Sequence, residues 1–283
     1  MPIENISDTA RWVAIYRAME TERPDAIFRD PFARKLAGDR GEDIVNTMKQ
    51  GRSMAWAMIV RTAVMDELLV ETIKGQNVDL VVNLAAGLDA RPWRLDLPST
   101  LQWVDVDLPE ISQYKRDVIG SAPPKFHYES IDADLTDDRV RQAILTTLGA
   151  RGKRVFVITE GLLIYLEREQ VESLARALHA QASFKWWMID LAHPELLKMM
   201  SRTWGKQVAA GNAPFKFAPP EGTAFFPPLG WKEKSFRSSM EEARRLKREM
   251  GAAPFFRVMS LFMSKKRKEV FRKFSGIVLL ERA

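Results

Sequence analysis

Apolar residues recur at three- and four-residue intervals through the first 75 residues of the chain. The segments TARWVAIYRAME and SMAWAMIVRTAVMDELLVETI both follow this period, which is typical of helices packed on one face. From residue 76 onward, short runs rich in β-branched and aromatic residues alternate with amphipathic segments. The pattern predicts a helical arm over 1–75 and an alternating α/β core over 76–192.

Five short apolar runs are predicted to be the strands of that core. Helical patterns such as PEISQYKRDVIG and EREQVESLARALHAQ separate them. A strand followed by a helix, repeated several times, predicts a doubly wound, mostly parallel sheet that helices cover on both faces. The five predicted strands are DLVVNLA, LQWVDVDL, KFHYESIDADL, RVFVITEG and KWWMIDLA.

The alternation stops after Ala192. A helical segment leads into GNAPFKFAPPEGTAFFPPLGW, and two charged helical segments and a last strand, GIVLLER, follow. Long loops in compact domains often cover binding sites. We therefore predict one domain over 1–283, with a cap or lid insertion over 193–270 and a final strand over 271–283 that returns to the sheet. The aromatic residues of the insertion, together with PFFRVMSLFM, either form an apolar cover or close the core.

Composition narrows the class of protein. Hydrophobic residues make up 46% of the chain and charged residues 28%, as in ordinary globular domains. The chain has no cysteine, which excludes disulfides, thiolate metal sites and a cysteine nucleophile and fits a reducing compartment. The sequence shows neither a signal-peptide pattern nor an apolar run long enough to span a membrane. We therefore expect a cytoplasmic protein, and we name no metal ligands.

The chain is basic, with 43 Lys and Arg against 37 Asp and Glu and a net charge of +6. Much of the excess lies in RRLKREM and KKRKEVFRK, late in the sequence. Such basic segments are compatible with an alternative function, a non-catalytic module that binds nucleic acid. Charges at helical spacing are more typical of a solvated helix face, so we expect no nucleic-acid partner. The oligomeric state is left open.

A turn of small residues, AAGLDARP, follows the first predicted strand. Ala85, Gly87 and Ala90 reproduce the spacing of the GxGxxG fingerprint, with alanine at the first and last positions. A glycine without Cβ lets a ligand approach the backbone, and the amides at the following helix start face that ligand. A tight turn that binds nothing has the same sequence, so the motif alone is weak.

Acidic residues end the strands that follow. Asp105 and Asp107 stand 18 and 20 positions beyond Gly87, about where doubly wound proteins bind a ribose through a carboxylate. Asp134 and Glu160 end the third and fourth predicted strands. Because the carboxyl ends of parallel strands meet along one crevice, we expect these acids to cluster near Gly87. The simpler alternatives are a helix cap for Asp134 and a solvated loop position for Glu160.

An acid-lined crevice suits a ligand with hydroxyls, an amine and a positive charge better than a pyrophosphate. S-Adenosylmethionine has a ribose, an adenine, an ammonium and a sulfonium, and no phosphate. Its carboxylate needs a cation, and Arg61 is the candidate because it interrupts an apolar helical face; an arginine that extends to solvent is the alternative. An NAD(P)-dependent Rossmann oxidoreductase is a second interpretation, weakened by the two alanines in the fingerprint.

An ordered set of segments resembles the leucine carboxyl methyltransferase family, in particular its bacterial class I branch. The set covers roughly residues 5–192. The resemblance implies that Arg61 binds the cofactor carboxylate, that Ala85 to Gly87 hold the methionyl part, and that Asp107 binds the ribose. The matching segments are SDTARWVAIYRAMETERPDAIFRDPFARKL, VRTAVMDELL, NLAAGLDARPWRLDLP, VDVDLPE, DADL and TEGLLIYL.

The same resemblance implies positions for the adenine and for the reacting end of the cofactor. Asp134 and Leu135 are expected at the adenine, and Glu160 at the amino group or at the mouth where methyl transfer occurs. Asp105 stands where the family often has glutamate, which leaves the share of ribose binding between Asp105 and Asp107 open.

The implied reaction is O-methyl transfer to a small, apolar acceptor through a carboxylate or a hydroxyl. A carboxylate is anionic at neutral pH and needs no base, whereas a hydroxyl is helped by one. His193, directly after the fifth predicted strand, and Tyr165 are the candidate catalytic residues. HPE is also a good helix start, and Tyr165 also suits simple packing. His127 falls at the strand end opposite the crevice, and His179 is expected to be structural.

Overall fold

The computed structural model describes residues 6–48, 51–210, 214–251 and 264–283. Within these ranges the strands are β1 (Leu80–Leu84), β2 (Gln102–Asp107), β3 (His127–Asp132), β4 (Val155–Thr159), β5 (Phe184–Ala192), β6 (Trp231–Ser238) and β7 (Ser275–Arg282). The helices are α1 (Ile6–Thr21), α2 (Ala33–Thr47), α3 (Ala55–Gln76), α4 (Arg91–Arg94), α5 (Pro109–Ile119), α6 (Asp138–Arg151), α7 (Arg168–His179), α8 (Pro194–Ala210), α9 (Ser239–Arg245) and α10 (Lys265–Arg272).

The strands form one sheet in the order β3-β2-β1-β4-β5-β7-β6. Strands β1 to β5 pair in parallel, and β7 is antiparallel to both β5 and β6. The chain runs outward from β1 in one direction and from β4 in the other, so the order reverses between these two strands. In doubly wound sheets, ligands bind at the carboxyl ends of the strands beside such a reversal. The predicted doubly wound, mostly parallel sheet is confirmed.

The two faces of the sheet are buried against different partners. Val82, Val104, Val157 and Trp187 belong to a cluster with residues of α6 and α7. Their sequence neighbours, among them Val81, Trp103, Phe156 and Met188, pack in a second cluster with α3 and α9. This alternation follows from the two-residue period of a strand, and burial on both faces explains why the strands read as continuous apolar runs.

Strand β6 is absent from the sequence prediction, which assigned this segment to a charged helical stretch. It lies at the edge of the sheet and pairs only with β7 among the described residues. Trp231 is fully buried, whereas Lys232, Glu233 and Lys234 are exposed. Charged residues are common on edge strands because they discourage pairing with another chain, and here they hide the apolar alternation.

Four aromatic residues of the predicted insertion close the core. Phe217, Phe225, Phe226 and Trp231 are buried in the cluster that also contains residues of α7 and β7. The interpretation of these four as an apolar cover is therefore wrong. PFFRVMSLFM lies outside the described residues.

Within the described ranges, no helix combines the length and apolarity that a membrane span requires. The division of the chain into arm, core and cap stays a prediction.

Candidate active site

The turn after β1 contains two residues in the left-handed region of backbone space. Ala85 and Gly87 both have φ near +53°. The Gly87 amide donates a hydrogen bond to the Asp107 carboxylate, which also accepts one from the Leu108 amide at 2.7 Å. Burial raises the pKa of Asp107 above its ordinary value, although both amides act against this. The end of β2 thus meets the glycine turn directly.

Asp105 points into an internal network. Its carboxylate accepts hydrogen bonds from Asn83 (3.2 Å), Trp103 (2.8 Å), Lys115 (2.6 Å) and Tyr128 (3.0 Å), and the residue is 3% exposed. A carboxylate offers about four acceptor positions, so these donors leave little capacity for a ribose hydroxyl. The contacts give Asp105 a structural role and leave Asp107 as the acid of β2 at the turn.

Asp134 lies in an exposed turn after β3. It accepts hydrogen bonds from the hydroxyl (2.7 Å) and the amide (2.8 Å) of Thr136, and these bonds hold its pKa below the usual value. The N-cap of α6 is Asp137, so the alternative of a helix cap at Asp134 is wrong. Leu135 is half-buried against the core. Among the described residues, no hydrogen bond or ion pair joins Asp134 to Gly87.

Glu160 and Arg61 contact each other at the end of β4. Arg61 of α3 lies 3.0 Å from Glu160 Oε1 and 3.3 Å from Asp190 Oδ2 of β5. Its side chain is only 11% exposed, so the extension of Arg61 to solvent is wrong. Gly161 has φ +65°, and a Cβ there would lie 3.2 Å from the guanidinium. This glycine therefore gives Arg61 room beside the backbone.

Arg91 links Glu160 to the glycine turn. It is 1% exposed and donates to Asp66 Oδ1 (2.6 Å), Asp89 Oδ2 (2.6 Å) and Glu160 Oε2 (2.8 Å). Arg94 also forms an ion pair with Asp66, through Oδ2 of that carboxylate. Burial alone would raise the pKa of Glu160, but Arg91 and Arg61 outweigh it and leave that pKa below its ordinary value. Glu160 is therefore an ionised, firmly held acid.

Salt bridges join seven residues into one arginine–acid cluster, of which only Arg61 and Glu160 were identified from the sequence. The members are Arg61, Arg91, Arg94, Asp66, Asp89, Glu160 and Asp190. Arg91 and Arg94 are three positions apart in RPWR, which places them one helical turn apart. Asp66 interrupts the apolar face of α3 five positions after Arg61. These two features were readable in the sequence. Asp190 carried a weaker signal, a lone acid inside the apolar strand WWMIDLA.

The two candidate catalytic residues occupy different surroundings. The Tyr165 hydroxyl is hydrogen-bonded to Thr9 of α1, its ring stacks on Phe215, and burial raises its pKa to about 12. His193 accepts a hydrogen bond from the Glu195 amide through Nδ1 at 3.2 Å. That bond confirms the helix-start interpretation of HPE. Within the described part of the chain, no hydrogen bond or ion pair connects His193 with Arg61.

Helix α1 lies across the glycine turn. A Cβ built on Gly87 would be 3.4 Å from Ala10 Cβ, and Arg17 donates to the Leu88 carbonyl while pairing with Asp30. Together with the Thr9 contact to Tyr165, these interactions make α1 the cover of the site.

Comparison with known proteins identifies the family. The sequence model described as leucine carboxyl methyltransferase matches residues 10–179, more than half of the chain. The chain belongs to the leucine carboxyl methyltransferase family. The match includes Arg61, Gly87, Asp107 and Glu160, so the glycine turn and most of the arginine–acid cluster lie inside the family region.

Two proteins similar to this family member have provisional names. The protein SCO7813 of Streptomyces coelicolor is 33% identical over 187 residues, which cover 62% of this chain and 65% of that protein. RHA1_ro00605 of Rhodococcus jostii is 35% identical over 173 residues, which cover 58% of each chain. Both are provisionally named S-adenosyl-L-methionine-dependent methyltransferases. The aligned part of this chain thus covers less than two thirds of the length of each of these two relatives.

Solved structures share the architecture at low sequence identity. A DUF574 family protein from Streptomyces avermitilis gives a TM-score of 0.61 at 11% identity, covering 95% of this chain and 97% of that one. A Thermobifida fusca protein, provisionally titled a methyltransferase, gives 0.61 at 13% identity, covering 100% and 96%. The family member described here has the α/β fold of class I methyltransferases.

Proposed function

We propose that this protein is an S-adenosylmethionine-dependent O-methyltransferase that acts on a small, apolar molecule. The observation that carries the proposal is the contact between the Gly87 amide and Asp107 beside a buried cluster that contains Arg61 and Glu160. These groups match a ligand that combines ribose hydroxyls with a carboxylate and an ammonium. The names of the relatives agree with this assignment.

The residues fit the cofactor group by group. The Gly87 turn offers a backbone surface without a Cβ, and Asp107 would accept hydrogen bonds from the ribose hydroxyls. Arg61 would bind the carboxylate, with Glu160 beside it at the reacting end. Asp134 and Leu135 would contact the adenine, and binding there requires Asp134 to remain exposed as it is here.

When bound, the cofactor supplies an electrophilic methyl group on its sulfonium. Displacement at that carbon needs a nucleophile in line at about 3 Å, so the protein contributes orientation and the exclusion of water. Helix α1 covers the Gly87 turn and holds Tyr165 through Thr9. Closure by α1 would keep water from competing with the acceptor.

We favour a carboxylate over a hydroxyl as the acceptor. Tyr165 is a poor base at neutral pH because burial raises its pKa to about 12. His193 accepts the hydrogen bond from the Glu195 amide through Nδ1 at the start of α8, so this nitrogen is already engaged. An acceptor that is already anionic needs neither residue as a base, and Tyr165 then serves to line the pocket.

Aromatic and methionine side chains beside the site support an apolar acceptor. Phe215 stacks on Tyr165 with 5.8 Å between ring centroids, and Trp12 of α1 packs edge-on against Trp204 of α8 at 5.8 Å. Met200 packs in the same cluster as Trp204 and Phe215. Such a surface binds apolar groups and adapts to their shape.

Titration calorimetry with S-adenosylhomocysteine and NAD tests the cofactor. We expect binding of S-adenosylhomocysteine and at least a tenfold loss in Asp107→Ala, with the exposed Asp138→Asn as the control. Tight binding of NAD without any response to S-adenosylhomocysteine would instead favour the oxidoreductase alternative, which has less support because Ala85 and Ala90 stand at glycine positions of the fingerprint.

The acceptor class is tested by transfer of a radiolabelled methyl group to a panel of aliphatic and aromatic acids and phenols. A methyl ester releases labelled methanol in alkali, whereas a methyl ether does not. We expect alkali-labile product; label that survives alkali would show that the acceptor is a hydroxyl.

A further inference from the structure

Asp190 lies at the open end of the arginine–acid cluster. We propose that Asp190 binds the ammonium of the ligand's amino-acid group while Arg61 binds its carboxylate, so that the two residues recognise a zwitterion. The inference rests on the proposed function, because S-adenosylmethionine and its product both carry this group. It assigns a role to a residue that the sequence did not single out.

The charges of the cluster leave one acid in surplus. Salt bridges connect three arginines with four acids in the described part of the chain. The members are Arg61, Arg91, Arg94, Asp66, Asp89, Glu160 and Asp190. An acid without an arginine of its own is unfavourable in a partly buried site unless a cation approaches it, so the cluster offers a place for a cationic group of the ligand.

Distances and exposure place that surplus at Asp190. Glu160 is neutralised by two arginines at 2.8 and 3.0 Å, whereas within the described residues Asp190 forms an ion pair with Arg61 alone, at 3.3 Å. The Asp190 side chain is 24% exposed, compared with 16% for Glu160 and 11% for Asp66 and Asp89. Asp190 is thus the acid that a ligand reaches with the smallest loss of existing contacts.

The backbone holds Asp190 ready for this contact. The Gly161 amide donates to Asp190 Oδ1 at 2.6 Å and Arg61 contacts Oδ2. A carboxylate accepts about four hydrogen bonds, so acceptor positions remain for an ammonium. Because Arg61 and Asp190 lie side by side, a carboxylate and an ammonium on one carbon atom can each meet the opposite charge.

The test compares four adenosine ligands by titration calorimetry on wild-type protein and Asp190→Asn. S-Adenosylhomocysteine has both charged groups, its deaminated analogue only the carboxylate, its decarboxylated analogue only the ammonium, and 5′-methylthioadenosine neither. Asparagine retains an acceptor for the Gly161 amide while removing the charge. Asp138→Asn, in an exposed ion pair with Arg141, is the matched control.

We expect Asp190→Asn to lose about tenfold in affinity for the two ligands with an ammonium and to bind the other two as wild type does. Asp190→Glu, which keeps the charge, should restore part of the loss. An equal loss for all four ligands, or a loss confined to those with a carboxylate, overturns the inference in favour of a role through Arg61. If the wild-type protein binds none of the four ligands, the proposed function itself fails, and the two failures are thereby distinguished.

Discussion

Two residues of the turn after β1 have positive φ values with different consequences. Ala85 carries a Cβ, so its left-handed conformation costs about 1 kcal/mol or more. Gly87 adopts the same region without that cost. A Cβ on Gly87 would lie 3.4 Å from Ala10 Cβ of α1, so the glycine lets α1 pack closely over the turn.

Replacing Gly87 by alanine tests the importance of that space. The Cβ would lie 3.4 Å from Ala10 Cβ, and under the proposed function it would crowd the turn that binds the cofactor. We expect Gly87→Ala to lower stability by about 1 kcal/mol and the affinity for S-adenosylhomocysteine at least tenfold, measured by denaturant unfolding and calorimetry. Gly75→Ala, where a Cβ meets no atom within 4 Å, should leave binding unchanged. Equal affinity in both variants would contradict a ligand at Gly87.

The position of a site residue could be predicted from the sequence where the residue ends a strand or belongs to a turn with a recognisable pattern. The end of β2 at Asp107 and the end of β4 at Glu160 follow from that logic. The pairing of Glu160 with Arg91 depends on how α4 packs against α3, which no local pattern specifies. The internal role of Asp105 likewise arises from Lys115 and Tyr128 on neighbouring elements.

Helix α1 is attached to the rest of the molecule by buried ion pairs. Glu20 is 0% exposed and accepts two hydrogen bonds from Arg248, which follows α9 and lies 228 positions away. Arg17 pairs with Asp30 at 2.8 Å. The cover of the site therefore depends on a residue of the late, basic segment RRLKREM.

Breaking the Arg248–Glu20 pair should loosen this attachment. We expect Arg248→Met to lower the free energy of unfolding by about 3 kcal/mol, because the buried Glu20 carboxylate loses its two closest charged hydrogen bonds and keeps the Ile27 amide at 2.7 Å and Arg23 at 3.6 Å. The double variant Arg248→Met with Glu20→Gln should recover part of that loss. Denaturant unfolding measures both. Arg244→Met, which removes an exposed arginine 3.9 Å from Glu249, should change stability by less than about 0.5 kcal/mol; a similar effect at both arginines would contradict the argument.

A strand could be predicted from the sequence where burial on both faces of the sheet requires a continuous run of apolar residues. Strands β1, β2, β4, β5 and β7 are largely buried along their length and were predicted. Strand β3, at the other edge of the sheet, was predicted as well, although its residues are half-buried or exposed. Strand β6 was not, because its solvated edge position admits Lys232, Glu233 and Lys234. A helix start after the glycine turn was expected, and α4 begins there at Arg91, but its four residues are too few to show a period from which its length could be predicted.

Across the whole molecule, much of the basic excess is engaged by acids of the same chain. Arg245 pairs with Glu67 and Glu242, and Arg248 with Glu20. A solvated helix face describes Arg244 and Arg245 well but does not describe the buried Arg248. The paired arginines are poorly available for phosphate contacts.

This pairing predicts weak binding to nucleic acid. We expect no binding of duplex DNA or single-stranded RNA tighter than about 10 µM at physiological salt, which is at most the level of non-specific proteins. Fluorescence anisotropy over a salt series measures it. A nanomolar affinity that falls steeply with salt would revive the nucleic-acid alternative.

The position of β7 leaves the sheet incomplete until the end of the described chain has been synthesised. It is synthesised after the other six strands, yet it lies between β5 and β6. Until residues 275–282 leave the ribosome, the apolar edge of β5 has no neighbour on that side and β6 has no partner in the sheet. Exposed strand edges of this kind invite association with other chains, so chaperones that shield nascent polypeptides should matter most for this protein just before β7 emerges.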